Sequence, residues 1–197
     1  MPNISDEHGN YLLRVARVAI QNYIQHNRKI AKPVNTPPEL ELPAGIFLNL
    51  YKKVPIAESG ELRGSAGIPF AQKDMIEAVI ESAVDAASHS KFSPVTMQEM
   101  PVVKIELHVL SEPQLLQYKN DVDFFGKIKI GEHGFLLSKA GKTGIMLPSV
   151  PLKKKWSARE ALDNLCVDYG LKAESWKDPS AKVWIFSTQV FRDRQNP

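Results

Sequence analysis

One order of elements, two strands followed by a helix and a further strand, occurs twice along this chain and limits the folds open to it. The first pass begins with the apolar run Gly45–Tyr51 and continues with a second strand, Leu62–Phe70, that contains a turn. A helix follows from Met75, with apolar side chains at helical spacing on one face. Apolar and polar residues then alternate over Val103–Val109, which is the period of a half-buried strand. This segment therefore predicts a hairpin, a helix and a strand.

The second pass has the same order. Gly134–Lys139 and Ile145–Pro148 predict a hairpin, and a capping box from Ser157 to Glu160 opens the helix. A final strand is expected over Lys182–Phe191. The sequence thus predicts an α+β fold in which two hairpin–helix–strand repeats form a duplicated, barrel-like mixed sheet flanked by helices.

Two further segments precede the first repeat. Residues 5–29 predict a helix with Ser5 as its cap, and residues 30–44 hold four of the prolines of the chain. Since proline fixes φ and removes a donor, we expect an extended surface arm there. We expect residues 1–197 to form a single domain, either undivided or as two closely packed lobes.

Composition narrows the class of protein. No apolar run approaches the length of a membrane span, and the first residues lack the pattern of a signal peptide. Cys166 is the single cysteine, which predicts a cytoplasmic protein without disulfides or a thiolate zinc site. Gly141-Lys142-Thr143 lacks the spacing of a phosphate-binding loop and predicts a hairpin turn. We therefore expect no metal, no cofactor and no membrane contact, whereas oligomeric state is left open.

The segment Leu62–Gly67 has the residue types of a binding loop. Arg63 carries five donors suited to carboxylate or phosphate, and Gly64 and Gly67 permit positive φ or a close approach to a ligand. Ser65 can donate or accept a hydrogen bond. His133, between two glycines, is a further candidate acid, base or phosphate contact, with a plain turn as its alternative. His108 alternates with buried positions and is expected at the surface.

A second candidate surface is the basic run that precedes the last predicted helix. Lys153, Lys154 and Lys155 supply positive charge for backbone phosphates, and Trp156 supplies an indole for base stacking. The alternative is a solvated basic rim in which Trp156 acts as the apolar staple of that helix.

Several motifs in one order give the chain a family resemblance. It resembles the AMMECR-type domain family, whose Leu-Arg-Gly-Cys-Ile-Gly, Arg-Phe-x-Pro, Ile-Gly-x-His-Gly and Leu-Pro-Gln-Val motifs have counterparts here. The counterparts are Leu62-Arg63-Gly64-Ser65-Ala66-Gly67, Lys91-Phe92-Ser93-Pro94, Ile130-Gly131-Glu132-His133-Gly134 and Leu147-Pro148-Ser149-Val150.

The resemblance implies an intracellular α+β domain with a cleft beside the arginine–glycine motif, and a biochemical activity that is unsettled. In some prokaryotes such domains are associated with a Memo-type domain and a radical-SAM protein, which implies a modification pathway. The chain departs from the family pattern at three places. Ser65 replaces the motif cysteine, His89 stands where an acidic residue is expected, and Lys153–Lys155 occupies a second acidic position.

Four functional hypotheses follow. The first is a binding domain whose cleft at Leu62–Gly67 holds a small anionic ligand or an acidic group of a protein partner. The second is an enzyme that uses the same cleft and needs a general base near Ser65, because an unassisted hydroxyl is a poor nucleophile. The third is a nucleic-acid-binding module that uses Lys153–Trp156. The fourth is a protein–protein adaptor that binds through the proline-rich arm.

Overall fold

The computed structural model describes residues 3–54, 57–88 and 91–193. Contacts along the chain divide it into two compact units. One unit runs to Leu110 and resumes at Gln189, and the other runs from Ser111 to Thr188. We refer to them as the terminal unit and the central unit. His89, which stands where the family pattern has an acidic residue, lies outside the described residues.

The terminal unit contains two long helices and one sheet. Its elements are α1 (Asp6–His26), β1 (Gly45–Val54), β2 (Ala57–Ile68), α2 (Met75–Ser88), β3 (Val103–Leu110) and β8 (Thr188–Arg192). The sheet has the strand order β2-β1-β3-β8, and β1 pairs antiparallel with both β2 and β3. One face of β1, with Ile46, Leu48 and Leu50, lies in a core that it shares with α1 and α2.

The predicted first helix is confirmed, but it is shorter than expected. The Ser5 hydroxyl accepts the backbone N–H of His8 and caps the helix, as its position indicated. Asn27 adopts the left-handed conformation and returns its N–H to the carbonyl of Tyr23, so α1 ends at His26. Arg28 and Lys29 therefore lie beyond the helix.

The proline-rich segment at 30–44 is only partly a surface arm. Pro38–Glu41 forms a short 3-10 helix whose Leu40 is fully buried in the core of the terminal unit. The carbonyl of Leu42 also accepts the N–H of Met75 at the start of α2. Burial of Leu40 ties this segment to the fold, which weakens the adaptor hypothesis.

The central unit contains the second sheet. Its elements are β4 (Gln114–Leu115), α3 (Asp121–Gly126), β5 (Gly134–Lys139), β6 (Lys142–Met146), α4 (Ser149–Lys154), α5 (Ala158–Asp168) and β7 (Lys182–Phe186). The strand order is β4-β7-β5-β6, and all its defined pairings are antiparallel. Leu162, Leu165 and Cys166 of α5 are buried.

The predicted single barrel-like mixed sheet is wrong. Within the described ranges the strands form two separate four-stranded sheets, and every pair whose register is defined is antiparallel. The run Lys182–Phe191, expected as one strand, is two strands that join different sheets on either side of Ser187. The backbone groups of Ser187 bond to Ser111 rather than continuing one ladder, and this ends β7.

The predicted order of elements is present in both units. A hairpin, helical segment and strand follow one another in each, and the strand orders β2-β1-β3 and β6-β5-β7 correspond. This is a correspondence of order, and the origin of the two units by duplication stays a prediction.

Candidate functional site

The motif Leu62–Gly67 lies inside strand β2, which confirms the predicted second strand but not the turn or loop expected within it. Ser65 pairs with Asn49 across the ladder, and Gly67 pairs with Phe47. Neither Gly64 nor Gly67 adopts a positive φ. A β-carbon on Gly64 would lie 2.1 Å from the backbone oxygen of Ala86 in α2.

Gly67 is restricted in the same way by its neighbouring strand, because its β-carbon would lie 2.4 Å from the Phe47 ring. Gly64 therefore allows the close approach of α2 to β2, and Gly67 allows the close approach of β1, rather than the approach of a ligand.

Arg63 is held by protein groups. Its Nε and one Nη donate to the two carboxylate oxygens of Glu99 at 2.9 and 3.0 Å. The guanidinium also donates to the carbonyls of Ser93, at 2.6 Å, and Pro94, at 3.0 Å. The hydrogen bond from Arg63 lowers the pKa of Glu99 to about 2, although burial opposes that change. This geometry describes a structural ion pair, and it offers no support for Arg63 as an anion clamp.

Ser65 belongs to a chain of polar groups on the face of the sheet opposite the helices. Its hydroxyl donates to Oδ1 of Asn49 at 3.0 Å. The Asn49 amide nitrogen lies 3.5 Å from the Tyr51 hydroxyl, which lies 3.5 Å from a carboxylate oxygen of Glu106. Antiparallel register explains the arrangement, since Asn49 is opposite Ser65 on one side and Glu106 on the other.

Glu106 is the centre of this network. Nε2 of His108 lies 2.9 Å from one carboxylate oxygen, and Nε of Arg192 donates to the other at 2.8 Å. Burial opposes ionisation of Glu106, but the hydrogen bonds and charges of His108 and Arg192 outweigh it and lower its pKa to about 2. Burial, followed by the adjacent Glu106 carboxylate, raises the pKa of Tyr51 to about 12. We call the six residues of this network the polar face: Asn49, Tyr51, Ser65, Glu106, His108 and Arg192.

The polar face has a buried part and an accessible part. Asn49, Glu106 and His108 are at most 7% exposed, whereas Ser65 and Tyr51 are half-buried. The Arg192 side chain is 64% exposed. The more accessible side chains of Tyr51 and Arg192 are thus held by hydrogen bonds to the buried carboxylate of Glu106.

The expectation that His108 lies at the surface is wrong. It is 1% exposed, and its Nδ1 has no hydrogen-bond partner among the described residues. The alternation over β3 correctly placed Glu106 and His108 on one face, but that face is also covered. An acid and a histidine two residues apart in a strand are the sequence signal that could have indicated this pair.

Sequence reasoning missed four members of the polar face: Asn49, Tyr51, Glu106 and Arg192. Asn49 interrupts the otherwise apolar run Gly45–Tyr51, which is a usable sign of a polar site. Arg192 carried no such sign, because its partner Glu106 is 86 residues away in the chain.

His133 belongs to the central unit, whereas the motif around Arg63 belongs to the terminal unit. The Nδ1 of His133 accepts the backbone N–H of Lys129 at 3.2 Å, and the backbone N–H of His133 donates to the Lys129 carbonyl. These contacts close the turn before β5. The role of a turn residue therefore accounts for the contacts that His133 makes.

The basic run lies at the end of α4. Lys153, Lys154 and Lys155 are exposed, and none has a carboxylate within ion-pair distance in the described part of the chain. Trp156 packs against the core of the central unit, and the capping box of Ser157 and Glu160 follows it directly. Trp156 is half-buried by this packing, so the structure retains the charge of the nucleic-acid hypothesis but exposes only part of its stacking residue.

Two other features are separate from the polar face. A surface depression of about 570 Å³ is lined by the end of α1 and the residues after it, and it shares no residue with the polar face. No group of three histidine, cysteine or acidic side chains in the described ranges is arranged to hold a metal ion. None of the described helices is both long enough and apolar enough to cross a bilayer.

Known proteins resemble this chain over nearly its full length. A family model described as AMMECR1 matches residues 13–191. A protein of Methanopyrus kandleri is 35% identical over 191 residues, which is 96% of this chain and 90% of that protein. A protein of Thermococcus onnurineus is 36% identical over 195 residues, covering 98% of this chain and 94% of its own length.

A solved structure agrees with the fold. The crystal structure of an uncharacterized protein from Pyrococcus horikoshii has a TM-score of 0.90 to this chain at 33% identity, covering 97% of this chain and 94% of that one. The fold and the polar face define an α+β protein of two units, each with an antiparallel sheet and helices. The chain belongs to the AMMECR1 family.

Proposed function

We propose that this AMMECR1-family protein is a binding domain whose polar face holds a small ligand through an anionic group. Arg192 binds that group, and the hydroxyl of Ser65 contacts a different part of the ligand. This keeps the binding hypothesis for the Leu62–Gly67 segment but transfers the role of anion contact from Arg63 to Arg192. Arg63 and Glu99 instead join β2 to the segment between α2 and β3.

The observation that carries the proposal is the way Glu106 holds Arg192. The carboxylate binds only Nε of the guanidinium, and both terminal nitrogens remain without a hydrogen bond to the described residues. Those two nitrogens form the edge that binds carboxylate or phosphate at two points. Because Glu106 is buried and ionised, it restricts the exposed side chain before any ligand arrives, which lowers the entropy cost of binding.

An enzyme that uses Ser65 as a nucleophile is less well supported. The Ser65 hydroxyl donates to the amide oxygen of Asn49, which cannot accept a proton as a general base does. Within the described ranges no histidine or carboxylate forms a hydrogen bond with Ser65. A hydroxyl in this setting is suited to binding.

Inorganic phosphate is a suitable first probe of the anion contact. We expect phosphate, titrated at constant ionic strength, to shift the ¹H–¹⁵N resonances of Arg192 and of strands β2 and β3. The Arg192→Gln variant should lose this response. Arg28→Gln is the matched control, because Arg28 is also an exposed arginine of the terminal unit but is not part of the polar face. An equal phosphate response in wild type and Arg192→Gln would refute the proposal.

A further inference from the structure

The hydrogen bonds of the polar face have a direction that Glu106 sets. An ionised carboxylate has no proton, so it accepts from every neighbour. The single hydroxyl proton of Tyr51 therefore points at Glu106, which lies 3.5 Å from the phenol oxygen. Tyr51 has no second proton, so its oxygen accepts from its other neighbour, Asn49.

The donor and acceptor roles at Tyr51 also fix the roles of Asn49 and Ser65. Since the Asn49 amide nitrogen faces Tyr51, its Oδ1 faces Ser65. An amide oxygen only accepts, so the hydroxyl proton of Ser65 is committed to Asn49 at 3.0 Å. What Ser65 offers to any further partner is a lone pair.

We propose that Glu106, acting through Tyr51 and Asn49, makes Ser65 a hydrogen-bond acceptor, so that the ligand of the polar face carries an N–H or O–H donor as well as its anionic group. The ligand class is then a small amino or hydroxy acid. The inference rests on the proposed function, because it needs Arg192 as the contact of the anionic group. In this scheme Glu106 and Tyr51 are positioning residues.

Sheet geometry sets the separation of the two groups. Ser65 lies on β2 and Glu106 on β3, with β1 between them. Two strand spacings amount to about 10 Å, and the Arg192 guanidinium bonds to Glu106. The donor and the anionic group of the ligand are therefore expected at opposite ends of a molecule of that length.

Three probes of equal chain length isolate the donor. Octanoate has the anionic group alone, 8-aminooctanoate adds an ammonium donor, and octanedioate adds a second acceptor. In NMR titrations at pH 7 and constant ionic strength, we expect 8-aminooctanoate to bind about three- to tenfold more tightly than octanoate, the value of one hydrogen bond. Octanedioate should bind more weakly than 8-aminooctanoate by at least that factor.

Ser65→Ala tests the contact itself. This variant should bring the affinity of 8-aminooctanoate down to that of octanoate. Tyr51→Phe tests the direction, because it removes the proton that connects Asn49 to Glu106 and leaves the pair of Glu106 and Arg192 in place. The amide of Asn49 is then free to turn, so the ratio of 8-aminooctanoate affinity to octanoate affinity should fall. Tyr11→Phe, on α1, is the control.

The outcomes separate the two proposals. If octanoate binds through Arg192 but the ammonium adds nothing, this inference is overturned and the proposed function stands. If Tyr51→Phe keeps the full preference for 8-aminooctanoate over octanoate, the inference is also overturned, because Glu106 would then not determine the role of Ser65 as an acceptor. If neither phosphate nor octanoate binds in an Arg192-dependent manner, the proposed function fails and the inference fails with it.

Discussion

Arg63 of β2 and Glu99 of the segment before β3 form a two-point ion pair, with nitrogen–oxygen distances of 2.9 and 3.0 Å. The same guanidinium bonds to the carbonyls of Ser93 and Pro94. The arginine of the family motif thus ties an edge strand to the segment that follows α2. This is a positioning role for a residue whose chemistry first indicated ligand binding.

The planar guanidinium of Arg63 should be required for its hydrogen bonds to Glu99 and to the two carbonyls. We expect Arg63→Lys to lower the free energy of unfolding by about 1–3 kcal/mol, because lysine keeps the charge but cannot bond to both oxygens and both carbonyls. Lys52→Gln is the control, since Lys52 lies 3.3 Å from the same carboxylate but is 43% exposed, and it should cost less than about 0.5 kcal/mol. Urea unfolding measures both values, and equal losses would contradict the prediction.

Stability should depend on pH through Glu99. Its pKa falls from an ordinary value of 4.5 to about 2 in the folded protein. A carboxyl with a depressed pKa contributes its stability above the unfolded value, and that contribution is lost as the pH falls from about 4.5 to about 2. We expect Glu99→Gln to reduce the slope of the unfolding free energy against pH in this window, in which Glu106 also contributes. Glu39→Gln, at an exposed position without an ion pair in the described ranges, should leave the slope unchanged.

Gly64 should tolerate no side chain. The β-carbon of Gly64→Ala would lie 2.1 Å from the Ala86 oxygen, so the backbone of α2 has to move. We expect a loss of about 1–3 kcal/mol, the usual cost of overpacking. Gly126→Ala is the matched control, because nothing lies within 4 Å of its β-carbon position. Thermal unfolding should show a lower midpoint for the first variant alone, and two equal midpoints would show that α2 does not approach β2 this closely.

Replacing Lys155 with glycine should stabilise the protein, whereas replacing Lys153 with glycine should destabilise it. Lys155 ends α4 in the left-handed conformation, with φ at 56°, and Lys153 lies inside the helix. We expect Lys155→Gly to raise the unfolding free energy by about 0.5–1 kcal/mol and Lys153→Gly to lower it by a similar amount. Both variants remove one exposed charge, so their difference isolates backbone conformation. A loss of stability in both would refute the left-handed assignment.

Elements that depend on near neighbours were predictable. The caps at Ser5 and Ser157, the strand β5 and the buried stripe of α2 all appear where the residue pattern placed them. Capping and amphipathic spacing act within one or two turns or a few strand residues, so local sequence specifies them. The family assignment rested on motifs of the same local kind, and it is confirmed over residues 13–191.

The partition into two sheets and the composition of the polar face were decided by tertiary structure. Local pattern marks Lys182–Phe191 as one extended run, but pairing partners far away in the chain divide it at Ser187. In the same way, the local sequence indicates that Arg63 is an unpaired cation, whereas the folded protein pairs it with Glu99. Burial and ion pairing depend on which distant residues meet, and neither propensity nor periodicity contains that information. For this reason we propose Arg192, rather than Arg63, as the residue that binds the anionic group.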